Sequence, residues 1–270
     1  MKAFVFDASK CNGCYSCQVA CKDEHCGNDW MPYAKPQPDT GHFWYKLNEY
    51  VRGTLPKVKA AYVPTLCMHC EDSACAAACI HGAISQRDDG LVLIDPAKCN
   101  GCQLCVDACP YGAIYFNRAL RIAQKCTGCA HLLDRGWPIT EPRCVDACIT
   151  GALIFGEEED LKPLIEKAEV LEPNFGEKPS VRVYYLNLPK RFIAGTVYDP
   201  AAEEVVIGAT CTLSGDSSAT ATTDEFGDFW FEGLPVGSFS LTIAANGFPA
   251  KQFDAISTDK DVNLGDIPLA

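Results

Sequence analysis

Residues 99–110 read C-N-G-C-Q-L-C-V-D-A-C-P, and the reading of this stretch decides the fold. Cys99, Cys102 and Cys105 recur at every third residue, so a tight loop presents three thiolates to three corners of one iron–sulfur cubane. Cys109, followed by Pro110, turns toward a different cluster. One motif therefore implies at least two clusters. A zinc knuckle or a redox dithiol also uses C-x-x-C. Zinc, however, gathers four donors at one point, and neither alternative accounts for the close third cysteine or the Cys-Pro.

The pattern recurs on both sides. Cys11, Cys14, Cys17 and Cys21 repeat the spacing; Cys67, Cys70, Cys75 and Cys79 carry two extra residues before the third cysteine. Cys126 and Cys129 are completed by Cys144 and Cys148 only after an insertion, residues 130–143. Four runs of four use 16 of the 18 cysteines and leave Cys26 and Cys211 as free thiols expected to serve packing. Three runs share an ending, A-C-I-H-G-A-I, A-C-P-Y-G-A-I and A-C-I-T-G-A-L, in which Gly82, Gly112 and Gly151 terminate the short helix behind the fourth cysteine.

Thiols grouped this closely suit metal better than long-range disulfides, which points to a reducing compartment. The opening M-K-A-F-V-F-D-A-S-K has no apolar signal core, cleavage site or twin arginine, so a cytoplasmic location is expected. The periplasmic side would be reached only by co-export with a partner carrying the signal. No apolar run is long enough to span a bilayer, so a membrane link would come through another subunit. A net charge of −12 argues against nucleic acid, whose phosphates need a basic face.

In a two-cluster ferredoxin fold the fourth cysteine of each run crosses to the other run's cluster. With four runs, the economical arrangement nests the second with the third and the first with the fourth. The expected ligand sets are Cys67, Cys70, Cys75 with Cys109; Cys99, Cys102, Cys105 with Cys79; Cys11, Cys14, Cys17 with Cys148; and Cys126, Cys129, Cys144 with Cys21. A swap of fourth ligands within a pair stays open. The nested second and third runs are expected in the middle of the resulting wire. Four complete cysteine sets leave no iron open to substrate, so single-electron transfer is expected and no catalytic residue is assigned.

His25, His69, His81 and His131 lie near cysteines; with no vacant ligand position they read as hydrogen-bond donors that raise cluster potential. Lys10, Lys22, Lys98 and Lys125 sit beside ligands, and either stabilise the reduced clusters or snorkel into water. Glycine-rich phosphate loops, H-E-x-x-H and G-x-S-x-G are absent from the sequence. The chain reads as a wire for a catalytic centre on another polypeptide.

The class expected is α+β: two interleaved ferredoxin-like units binding four [4Fe-4S] clusters over 1–160, with an aromatic insertion at 22–66. The aromatics there either roof the clusters or dock a partner. Residues 161–191 read as a helix, capped by Asp160, and an extended linker. Residues 192–270 read as a small all-β sandwich of short alternating strands. From 190 to 270 the chain holds 12 acidic and four basic residues, so most of the net charge lies there.

The order C-x2-C-x2-C-x3-C, C-x2-C-x4-C-x3-C, C-x2-C-x2-C-x3-C-P and C-x2-C-x14-C-x3-C resembles the four-cluster electron-transfer subunit of the molybdopterin guanine dinucleotide oxidoreductases, over roughly residues 1 to 190. The resemblance implies a large partner subunit holding molybdopterin with Mo or W, and an external electron carrier at the far end of the wire. The stretches G-T-V-Y-D-P, T-D-E-F-G-D-F-W-F-E-G-L-P-V-G-S-F and A-A-N-G-F look like the transthyretin-like or carboxypeptidase-regulatory sandwich. That fusion, with K-P-S-V-R-V-Y-Y-L-N-L, is similar to small subunits of the pyrogallol–phloroglucinol transhydroxylase family and related anaerobic aromatic-ring hydroxylases. A transhydroxylation is redox-neutral, whereas complete clusters suit net electron flow, so a hydroxylase or reductive dehydroxylase on the same small subunit is kept beside it. Two other readings are a subunit of a membrane-linked dimethyl sulfoxide or polysulfide reductase and a free-standing polyferredoxin.

Overall fold

A computed structural model describes residues 1–136 and 140–270; Trp137, Pro138 and Ile139, inside the insertion between Cys129 and Cys144, lie outside the described residues. The chain divides into two compact units: Met1–Glu49 with Tyr62–Leu188, and Tyr50–Ala61 with Pro189–Ala270.

The first unit is built on the strand Lys2–Asp7. Its run of Ala3, Phe4, Val5 and Phe6 is buried on both faces because the strand is central. It pairs antiparallel with Leu153–Glu157, Phe4 opposite Phe155, and parallel with Val183–Leu186, Phe4 opposite Val183. Ile84–Gln86 pairs with Val92–Ile94, and Tyr115–Asn117 with Ile122–Gln124. The strand leaving each of the second and third cysteine runs thus returns beside the strand entering the next run. The Lys2–Asp7 and Leu153–Glu157 pair closes the circuit from the fourth run back to the first.

The helix expected from residue 161 runs instead from Glu158 to Ile165. Asp160 is not its cap; Glu157 holds that position, and Glu158, Glu159 and Asp160 fill the first turn, where carboxylates complement the helix dipole. The helix stops early because the Glu169 backbone is taken up in two hydrogen bonds with Tyr185, each 2.8 Å. That pairing draws the following stretch onto the sheet, where Val183–Leu186 is a strand rather than free linker.

The second unit is two four-stranded sheets. Arg191–Asp199 carries Glu204–Val205, Asp228–Leu234 and, in parallel, Val262–Pro268; Thr210–Gly215 lies between Ala219–Thr222 and Ser238–Ala244, with Lys251–Ser257 at the edge. Alternation along the strands puts Ile193, Val197, Cys211, Leu213, Phe229, Phe231, Leu241 and Ile243 in one apolar core. The strands Tyr45–Thr54 and Lys57–Leu66 pair, and the residues near their turn bring cations to this acidic unit. Arg52 meets Asp261 at 2.6 Å, Lys57 pairs with Asp228, Lys59 with Glu232, and Lys59 lies 4.8 Å from the Trp230 ring centre.

Candidate functional site

Each cysteine run is a tight loop followed by a short helix: Ser16–His25, Ala74–Ala77, Leu104–Ala108 and Arg143–Asp146 carry Cys17, Cys75, Cys105 and Cys144. The loop requires a left-handed residue before the second cysteine. Gly101 supplies it at φ +79, and a Cβ there would stand 2.4 Å from the Arg121 carbonyl oxygen. His69 fills the matching place in the second run at φ +46, fully buried, stacked 6.2 Å from Phe4.

The fold gathers the cysteines in quartets drawn from pairs of runs. Cys67, Cys70, Cys75 and Cys109 line one cavity with Val92, Tyr111 and Ile114. Cys79, Cys99, Cys102 and Cys105 line another with Ile84, Ile94 and Ala123. Cys11 and Cys17 lie close enough to Cys148 for its charge to raise their pKa, and Cys14 adjoins Cys11. Cys21 and Cys144 stand in the same relation to Cys126 and Cys129.

The quartets fall in a line. Cys105 of the second quartet neighbours Cys75 of the first; Cys67 neighbours Cys126; and Cys144 and Cys21 neighbour Cys17. The order is therefore 79/99/102/105, 67/70/75/109, 21/126/129/144, 11/14/17/148. The nested pair of runs forms one half of this line and the Cys99 run ends it, contrary to its expected middle place. Nesting along the chain does not become nesting in space: Cys17, Cys21, Cys126 and Cys144 share one buried cluster with Cys67, and Cys105 lies in a separate one. The two exposed cysteines, Cys14 and Cys102, belong to the two end quartets.

Burial pushes Cys70, Cys75 and Cys129 up to about 12 and Cys17, Cys105 and Cys126 to about 11; Cys21 and Cys144 rise further. Left alone these sulfurs stay protonated. A cationic centre in each quartet reverses that by taking the place of the protons. Main-chain amides already point at sulfur: His69 to Cys67, Ala83 to Cys79, Ala113 to Cys109, Ala123 to Cys99 and Gly128 to Cys126, at 3.3–3.4 Å.

The Tyr111 hydroxyl, Thr127 Oγ1 and His69 Nε2 are buried donors with no partner, and each sits in or beside a cysteine run. Acceptor sulfides would satisfy them. Among the described residues no three His, Cys, Asp or Glu side chains converge tightly enough to hold a single metal ion. In the two quartets drawn from the second and third runs the sulfurs line a cavity instead, as a cubane requires and zinc does not. The donor set fits iron–sulfur clusters.

The four histidines divide. His25 Nε2 lies 3.7 Å from the Cys129 sulfur, and burial holds this imidazole neutral, its pKa down at about 3. His69 accepts the Val92 amide, His81 meets Asn100, and His131 meets Glu24 at 2.9 Å while stacking on Trp30. Among the described residues only the His25 ring meets a cysteine sulfur; His69 and His131 each bond one polar group and keep a second buried ring nitrogen, Nε2 and Nδ1, without a partner, and His81 is exposed. Of the lysines, Lys10 and Lys98 are exposed and paired with Asp7 and Asp95, and Lys22 bonds the Pro38 and Gly41 carbonyls. Of these four, Lys125 alone is buried.

Trp44 and Tyr45 from the aromatic insertion are buried in the same core as the cysteines, Trp44 against His25 at 4.6 Å. Tyr45 stands beside Cys17 and Cys144, at the junction of two quartets. Its place at that junction, and the unpartnered hydroxyl of Tyr111, escaped sequence reasoning; the one signal for Tyr111 was its place two residues after Cys109. Cys26 donates to Asp39 at 3.3 Å and Cys211 is in the sandwich core, both outside the quartets.

The 4Fe-4S dicluster domain family matches residues 58–158, and the carboxypeptidase regulatory-like domain family matches residues 193–270. The small subunit of pyrogallol hydroxytransferase from Pelobacter acidigallici is 39% identical over 98% of both chains. A subunit of the tetrathionate reductase of Salmonella typhimurium is 35% identical over 71% of this chain and 74% of its own. A chain of the anaerobic dimethyl sulfoxide reductase of Escherichia coli is 34% identical over 66% and 88%. No helix among the described residues is long and apolar enough to cross a membrane. The protein belongs to the iron–sulfur electron-transfer subunits of the molybdopterin oxidoreductases, a family that includes the small subunit of pyrogallol hydroxytransferase.

Proposed function

We propose that the chain holds four [4Fe-4S] clusters on its sixteen grouped cysteines and serves, in the cytoplasm, a large molybdopterin subunit that acts on hydroxylated aromatics. The observation that carries this reading is the line of four thiol quartets with an exposed cysteine in each end quartet. A cluster bound by four thiolates supplies reversible one-electron transfer and no open iron. The protein's part is to hold and insulate. Amide donors and the His25 imidazole stabilise charge on sulfur, Trp44 and Tyr45 exclude water, and Cys14 and Cys102 bring the two ends to the surface.

Hydroxylated aromatics are favoured over the respiratory substrates because the hydroxytransferase relative is matched along both chains, β-sandwich included. The respiratory relatives cover about 70% of this chain or less. The test is to purify the native complex, measure molybdenum and tungsten, and assay it against di- and trihydroxybenzenes. Turnover of one of them by a complex containing a large pterin-bearing chain is expected. A stable iron-loaded monomer free of any such chain would overturn the reading in favour of a free carrier.

A further inference from the structure

Lys125 is 2% exposed, and its ammonium donates only to main-chain carbonyls, those of Val92 and Cys126. No carboxylate pairs with it among the described residues. A buried cation without a counter-charge is costly, so its partner must be sought nearby. Val92 lines the cavity of Cys67, Cys70, Cys75 and Cys109, and Cys126 belongs to the adjoining quartet, so these two carbonyls fix the ammonium between the sulfurs of the two inner quartets. Lys10, Lys22 and Lys98 are satisfied elsewhere.

We infer that Lys125 is the shared counter-charge of the two inner clusters and holds their reduction potentials above those of a neutral site. The assignment rests on the four-cluster reading. Reduction adds one negative charge to a cluster, and a fixed cation in a poorly solvated site favours the more negative state. Its location at the junction of the two ferredoxin-like halves makes Lys125 a positioning residue for charge rather than a ligand.

The test is an EPR-monitored redox titration of the full chain in its native complex, as wild type, Lys125→Gln and Lys125→Arg, with iron determined on each. Fewer than four one-electron steps in wild type would sink the four-cluster reading, whatever the variants do. Given four steps, Lys125→Gln should disfavour reduction of the two inner clusters at least tenfold, about 59 mV for one electron, and leave the outer two unmoved. Lys125→Arg should keep wild-type potentials. Unmoved inner potentials in a fully loaded Lys125→Gln protein would overturn the inference. If the Gln variant fails to retain iron, Arg decides: retention with wild-type potentials supports the charge role, and failure to load or a Gln-like drop overturns it.

Discussion

The two units of this chain solve the problem of a core in opposite ways. The second closes around side chains that need nothing else: Ile193, Phe229, Leu241 and Ile243 meet in one apolar interior. The first mixes five buried thiols with apolar side chains such as Phe4, Phe6, Leu66, Met68 and Leu91 around its largest buried aromatics, Trp44, Tyr45 and Tyr185. Sulfur pushed well into the protonated range by burial is a poor core by itself. Stability of the first unit is therefore expected to depend on what its thiols bind, and that of the second is not.

The largest expected effect breaks the two apart. Anaerobic chelation of iron should abolish the thermal transition of the first unit and leave that of the second within a few degrees, as read by calorimetry with limited proteolysis. Loss of both transitions together would mean that the sandwich is not independent of metal. Next, Cys129→Ser should lower iron from about 16 to about 12 atoms per chain, whereas Cys211→Ser, in the sandwich, should leave it unchanged. Conversely, Phe229→Ala should destabilise the sandwich by about 3–5 kcal/mol, the range for a buried Phe, with iron content intact; iron loss in that variant would contradict the separation.

The smallest effect is acid dependence within the first unit. Arg87 grips Asp134 through both oxygens at 2.7–2.8 Å, and this, with the Tyr33 hydroxyl, holds the carboxyl at about 2. Because the folded value lies below the unfolded one, the contribution is full above about pH 4 and fades as pH falls toward 2. The pair is partly exposed, so it is worth about 1 kcal/mol or less. Acid titrations of wild type and Asp134→Asn should converge at low pH and differ slightly above it.

Much of this was legible because ligands of one loop are neighbours on the chain, so spacing carries geometry directly. The expected crossing of a fourth cysteine rests on the run motif itself and not on nearness along the chain. The order of the quartets was not legible, since no local pattern says which quartet lies beside which. The pairing of residues 50–61 with the sandwich strands was also hidden, although Arg52, Lys57 and Lys59 answer the acidic excess after residue 190. Hydrogen-bond partners of the histidines could not be read at all. His25 faces sulfur and His131 faces Glu24, for reasons set by packing against Trp44 and Trp30.

That all four quartets hold a cluster is the central claim, and iron determination joined to a reductive EPR titration of the native protein tests it most directly. Four filled quartets predict about 16 iron atoms and four one-electron steps per chain. About eight iron atoms and two steps would contradict them.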